Sequence, residues 1–94
     1  MERGNFYFVG GPLNGTVVLI ERNSVGWHYT HPRNSNHPVR RYRRSKFQIS
    51  TKGVKTKSTV DCMVHDSVSD LVAAKSVAKN WRFIIDNSDM VGRM

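Results

Sequence analysis

The sequence predicts an α+β domain: a small antiparallel sheet of four to five strands with one C-terminal helix packed on a face. Three observations lead there. Up to the sixties, short aromatic and β-branched runs alternate with Gly, Pro and Asn turn signals. A single apolar stripe of helical period follows Asp66. Finally, 94 residues, 38% of them hydrophobic, suffice for one core and are too few for two, so residues 1–94 are taken as a single domain.

The first strand is "NFYFVG" and the second "TVVLIER". Between them "GPLNG" supplies the residue types that tolerate tight turns and positive φ. "VGWHYTH" alternates Val25, Trp27 and Tyr29 with Gly26, His28 and Thr30, the period of a half-buried third strand. "PRNSNHP" reads as an exposed loop. Residues 39–49 are expected to form a fourth strand, with Val39, Arg41, Arg43, Ser45, Phe47 and Ile49 on one face and Arg40, Tyr42, Arg44, Lys46 and Gln48 on the other. Phe47 and Ile49 anchor its inner face; Arg41 and Arg43 fit that face badly, which places the first half of the strand beyond the sheet edge. "STKGVKTK" is a basic turn, and "STVDCMVH" a fifth strand with Val60, Cys62 and Val64 inward.

The helix starts after Asp66, where Ser67 and Asp70 have the spacing of a capping box. Val68, Leu71, Val72, Ala74, Val77, Ala78 and Trp81 form its apolar stripe, expected to lie on the sheet. "RFIIDN" either prolongs the helix or returns as a short edge strand, and Phe83, Ile84 and Ile85 are either core or a dimer contact.

Charge is distributed unevenly. The formal net charge is +8, yet residues 22–60 contain ten of the 15 Lys and Arg and none of the seven acids. Such a field attracts polyanions. Within it, "HPVRRYRRSKF" sets Arg40, Arg41, Arg43, Arg44 and Lys46 around Tyr42; Lys52, Lys55 and Lys57 follow. Arginine and lysine hold phosphates and a tyrosine stacks on a base, so these nine residues are the candidate nucleic-acid-binding surface, with Tyr29 a further stacking candidate. Arg40, Arg44 and Lys46 share the face of Tyr42. The competing account is a solvated edge strand.

The opening "FYFVGGPLNGTVV" resembles that of a loose group of small uncharacterised phage and prophage proteins. These begin with an aromatic strand, a Gly-Gly-Pro-x-Asp-Gly turn and a β-branched strand. Asn14 stands where the group usually has Asp, and the likeness extends to "RRYRR", since such proteins often carry a later Arg-Tyr strand. The resemblance implies a phage origin and a role in genome handling or in countering the host. It implies no catalytic residue.

Other constellations are weaker. "GGPLNG" lacks the Gly-Lys-Ser/Thr ending and the following helix of a nucleotide-binding loop, which leaves a tight turn. His28 with His31, and Cys62 with His65, suggest zinc, but residues three apart in a strand point to opposite faces. His65, Asp66 and Ser67 look like a triad only in sequence, because helix capping accounts for Ser67. A metal-dependent nuclease built on His31 or His37 near the basic face lacks a carboxylate in the acid-free stretch. Trp81 is expected in the core, and Trp27 either in the core or on the ligand face.

With one cysteine, Cys62, there is no intrachain disulfide, and no apolar run reaches the length of about 20 residues that spans a membrane. The expectation is a non-catalytic cytoplasmic protein, of the host cell if phage-encoded, without cofactor, that binds nucleic acid through phosphate contacts. The alternatives are an inhibitor whose basic face docks on an acidic host protein or captures a nucleotide, and the nuclease.

Overall fold

The computed structural model describes residues 2–29, 40–50 and 57–93, with the side chains of His28, Tyr29, Arg40 and Arg93 left aside. The elements are β1 (Arg3–Val9), a 3-10 turn (Gly11–Leu13), β2 (Val17–Glu21), β3 (Gly26–Tyr29), β4 (Arg40–Ser50), β5 (Lys57–His65), α1 (Asp70–Lys79), α2 (Trp81–Asn87) and β6 (Val91–Arg93). They form a small α+β fold with a mixed sheet in the order β2-β1-β5-β4-β3. All pairings are antiparallel except β1 with β5, which run parallel from Tyr7 opposite Cys62 to Val9 opposite Val64. The expected all-antiparallel sheet is corrected here: β1 and β2 form a hairpin at one side, and β5 reaches β1 only after the chain has crossed over. Beyond that pairing, β6 takes the place of β1 beside Ser58, Thr59 and Val60.

The sheet has to curl. β2 and β3 stand at its two ends, four strand spacings of about 4.8 Å apart, roughly 19 Å if flat. Yet they are joined by residues 22–25, shortened by a turn in which the Ser24 amide donates to the Glu21 carbonyl. The five Cα-to-Cα steps from Glu21 to Gly26 reach about 18 Å at most when fully extended, and the turn shortens them further, so the ends fold toward each other. The rings agree: Phe8 on β1 and Trp27 on β3 are separated by two strands but meet edge-to-face at 6.5 Å.

Curling gives the sheet two cores where the sequence suggested one. On one face Tyr7, Val9, Phe47, Val60, Cys62 and Val64 pack with Ala73, Val77 and Ile84 of the helices. On the other, Phe6, Phe8, Ile20, Tyr42 and Met63 pack together, with Trp27, Leu13, Val18 and Met90 around them. Val60, Cys62 and Val64 are therefore inward as expected, but Met63 is equally buried on the opposite face. A strand covered on both sides reads as a continuous apolar run.

The helical segment departs most from expectation. Ser69, not Ser67, is the N-cap, its hydroxyl accepting from the Val72 amide at 3.3 Å. Asn80 interrupts the helix, so "WRFIIDN" is a separate helix, and "VGR" beyond it supplies the short strand. Ile84 is core while Phe83 and Ile85 are about half exposed, and Trp81 is packed against the core. Ala73 and Val77 face the sheet; Leu71 and Val72, expected there, do not.

Cys62, on β5, lies fully buried on the face of the sheet that the helices cover. Burial, reinforced by the Asp61 carboxylate, pushes its thiol from 9.0 up to about 12. Only the unfolded chain ionises this thiol between those values, so its stabilising contribution is complete below pH 9 and declines as pH rises toward 12. At pH 8 a disulfide reagent is expected to label Cys62 at least about a hundredfold slower in buffer than in denaturing urea. Comparable rates would mean the site opens readily.

Candidate nucleic-acid interface

The basic strand β4 is not an overhanging edge in its first half. Gly26 to Tyr29 pair with Arg43 to Arg40 on one side, and Tyr42 to Ser50 pair with His65 to Lys57 on the other. Within the half thought to hang free, Tyr42 and Arg43 are thus flanked by strands on both sides, while Arg40 and Arg41 pair with β3 and the Arg41 carbonyl accepts from the Asp66 amide; the half from Ser45 onward lies beyond the end of β3.

This register gives the run of arginines unequal roles. Tyr42 is 3% exposed, so it offers no ring to a base, which corrects the stacking role expected of it. Its hydroxyl donates to the Gly10 carbonyl at 2.8 Å and accepts from the Leu13 amide at 3.0 Å. Its ring packs edge-to-face on Phe8 and His65. The tyrosine thus fastens "GGPLNG" to the sheet. Within that loop Asn14 accepts from the Gly10 amide at 2.7 Å and Thr16 donates to the Leu13 carbonyl at 2.6 Å.

Arg43 turns toward α1. It donates to the His65 and Val68 carbonyls at 3.2 and 2.7 Å and to Asp70 at 2.8 Å, tying the β5–α1 connection to the sheet. Arg44 points to the opposite face. Its guanidinium grips Asp61 and the Arg22 and Ser24 carbonyls and lies 5.1 Å from the centre of the Phe6 ring. Both arginines are tied into the fold by several of their donors, which the count of charges in "RRYRR" could not reveal.

Arg41, Lys46 and Lys57 are exposed. Strand register puts Lys46 opposite Asp61 and Lys57 opposite Ser50, so Lys46, Gln48, Ser50, Lys57 and Thr59 stand on one face of the β4–β5 ribbon. Along this ribbon Lys46 and Ser50 are four residues, about 14 Å, apart. Asp61 is the carboxylate of that face, and it is already paired with Arg44. Arg40 pairs with Tyr29 through the backbone; Lys52 and Lys55 lie outside the described residues.

The remaining candidates are dispersed. Cys62 faces the helices while His65 packs against Tyr42 across the sheet. His31 and His37 fall outside the described residues, among which no group of three or more His, Cys, Asp or Glu gathers. Ser67 does approach His65: the imidazole Nδ1 lies 2.7 Å from the serine hydroxyl and 3.1 Å from its amide, which donates to it. An accepting Nδ1 leaves the proton on Nε2, which is buried and unpartnered among the described residues. Among the described residues the His65 ring bonds to Ser67 and to no carboxylate, the geometry of a local turn contact.

Among the described residues no helix is long and apolar enough to cross a membrane. Comparison of the chain with protein-family models, with curated proteins and with solved structures gives no match in any of the three.

Proposed function

We propose that the chain is a non-catalytic nucleic-acid-binding protein that holds phosphates on the outer part of the β4–β5 ribbon. One observation carries this: Lys46 and Lys57 stand exposed on one polar face whose carboxylate, Asp61, is already engaged by Arg44. That leaves the face cationic, and Lys52 and Lys55 follow in sequence between its two strands. Arg41 is a further exposed cation on β4.

The burial of Tyr42 shifts the expected ligand. Single-strand binders rely on stacking worth about 1–3 kcal/mol per base, and the tyrosine within the basic run gives none. Recognition through charge favours the polyanion with the densest phosphates, a duplex.

The test is fluorescence anisotropy of labelled duplex DNA, single-stranded DNA and RNA at several salt concentrations, with Lys46→Glu/Lys57→Glu beside the native chain. The expected result is tighter binding to duplex, weakened by salt, with the double variant losing at least about tenfold in affinity and reducing the log–log salt slope by roughly 2. Binding to none of the three at low salt, or binding indifferent to the two lysines, overturns the proposal.

A further inference from the structure

Helix α1 is amphipathic in the wrong direction for its size of residue. Its two buried positions are small or medium, Ala73 and Val77, while Leu71 and Val72 are 69% and 56% exposed. At about 100° per residue, Leu71, Val72, Lys75, Ala78 and Lys79 fall within an arc of roughly 120° opposite Ala73 and Val77. All five are exposed. The only acid of α1, Asp70, lies outside this arc on the side of Val77 and is held by Arg43 at 2.8 Å. The outer face of α1 therefore has an apolar first turn and a cationic second half, and it carries no acid of the helix itself.

We propose that this face docks an acidic, leucine-bearing helical segment of a protein partner, with Leu71 and Val72 covered and Lys75 and Lys79 paired with its carboxylates. Charge complementarity selects that occupant. Lys75 and Lys79 are four residues apart on one helix face, where like charges repel; a carboxylate set between them removes the repulsion. A second copy of the chain would instead bring four lysines together, on two chains each of net charge +8. A lipid surface fits poorly: interfacial helices carry aromatic and apolar residues along their length, whereas the exposed large apolar residues of this 10-residue helix sit in its first turn and include no aromatic. Nucleic acid has nothing to cover Leu71 and Val72.

The surface lies on the helices and the proposed phosphate-holding face on the β4–β5 ribbon, so the two ideas stand or fall separately. The experiment titrates the ¹⁵N-labelled full chain with three designed helical peptides presenting Glu and Leu, Lys and Leu, or Glu and Ser on one face. The Glu/Leu peptide is expected to shift the amide resonances of residues 71–79 saturably and to bind at least about tenfold more tightly than either control. Leu71→Ser/Val72→Ser should weaken it at least about tenfold, and Lys75→Glu/Lys79→Glu should invert the preference toward the Lys/Leu peptide. Thermal melts of both variants verify folding, since all four side chains are exposed. Equal binding of the Glu/Leu and Lys/Leu peptides, or shifts centred elsewhere, overturns the proposal. So does tighter engagement of these residues by phosphatidylcholine–phosphatidylglycerol vesicles, or self-association lost in Leu71→Ser/Val72→Ser.

Discussion

Arg44→Ala is expected to lower stability by about 2–4 kcal/mol, read as a reduced urea midpoint at unchanged m-value. The side chain joins four parts of the fold at one point: β4, which carries it, β5 through Asp61, the β2–β3 turn through the Arg22 and Ser24 carbonyls, and the Phe6 core through its ring face. Removing it strands Asp61, whose side chain is 14% exposed, without its counter-charge. An unpaired carboxylate at that depth costs more than the pair contributed. Arg44→Lys should recover little, because a point charge cannot reach a carboxylate and two carbonyls in divergent directions. Arg44→Ala/Asp61→Ala should recover part of the loss, since no charge then remains to be desolvated. Lys46→Ala, two residues along the same face, should stay within about 0.5 kcal/mol. If Arg44→Ala proved as stable as the native chain and yet lost DNA binding, Arg44 would belong to the interface after all. The contrast also shows why the arginines of "RRYRR" make poor first mutants: loss of binding in Arg44→Ala would report the fold and not the phosphate contact.

The strands were legible because each carries its own local signal. Period-two alternation marks β3, and the glycine-rich turn marks the β1–β2 hairpin; both signals are complete within a few residues. The role of each basic residue was not legible, since it depends on partners far away in sequence. Arg43 meets Asp70 and Arg44 meets Asp61 only once β5 has paired with β4. The alternation of faces expected along the strand holds from Arg41 to Ile49, but the second core that claims Tyr42 follows from curling. That curling is imposed by the short β2–β3 connection and has no residue pattern of its own. Likewise the stripe through Leu71, Val72 and Ala78 has helical period whichever side it faces. Periodicity locates a helix face without saying whether the sheet or the solvent will meet it, and here Ser69 as N-cap and the break at Asn80 accompany Ala73 and Val77 turned inward. One signal was available and missed: Cys62, Met63 and Val64 are three apolar residues in succession, so both faces of the strand are apolar there, which argues for a core on each.

Gly11→Ala should be among the most damaging single-methyl changes in the chain, costing about 3–5 kcal/mol, while Gly15→Ala should cost about 1–2 kcal/mol. Both glycines have positive φ, +63° and +78°, so both substitutions incur the left-handed penalty of an L-residue. Surroundings separate them. A Cβ at Gly15 meets nothing within 4 Å, whereas at Gly11 it would lie 2.4 Å from His65 Cδ2 and 2.6 Å from the Tyr42 hydroxyl oxygen. Neither neighbour can yield cheaply. His65 is 6% exposed and held by Ser67, and the Tyr42 hydroxyl is fixed by its bonds to Gly10 and Leu13. Moving that ring would open both hydrogen bonds and disturb Phe8, the aromatic neighbour that Trp27 also contacts. The methyl therefore acts on the loop, on β4 and on the second core at once. Urea melts of the two variants measured side by side give the answer directly. Equal losses would mean that backbone strain alone sets the cost and that the Tyr42 anchor contributes nothing. A loss at Gly11 larger by at least about 1.5 kcal/mol would assign the central tyrosine of the basic run to the fold, and leave phosphate binding to the lysines farther along the ribbon.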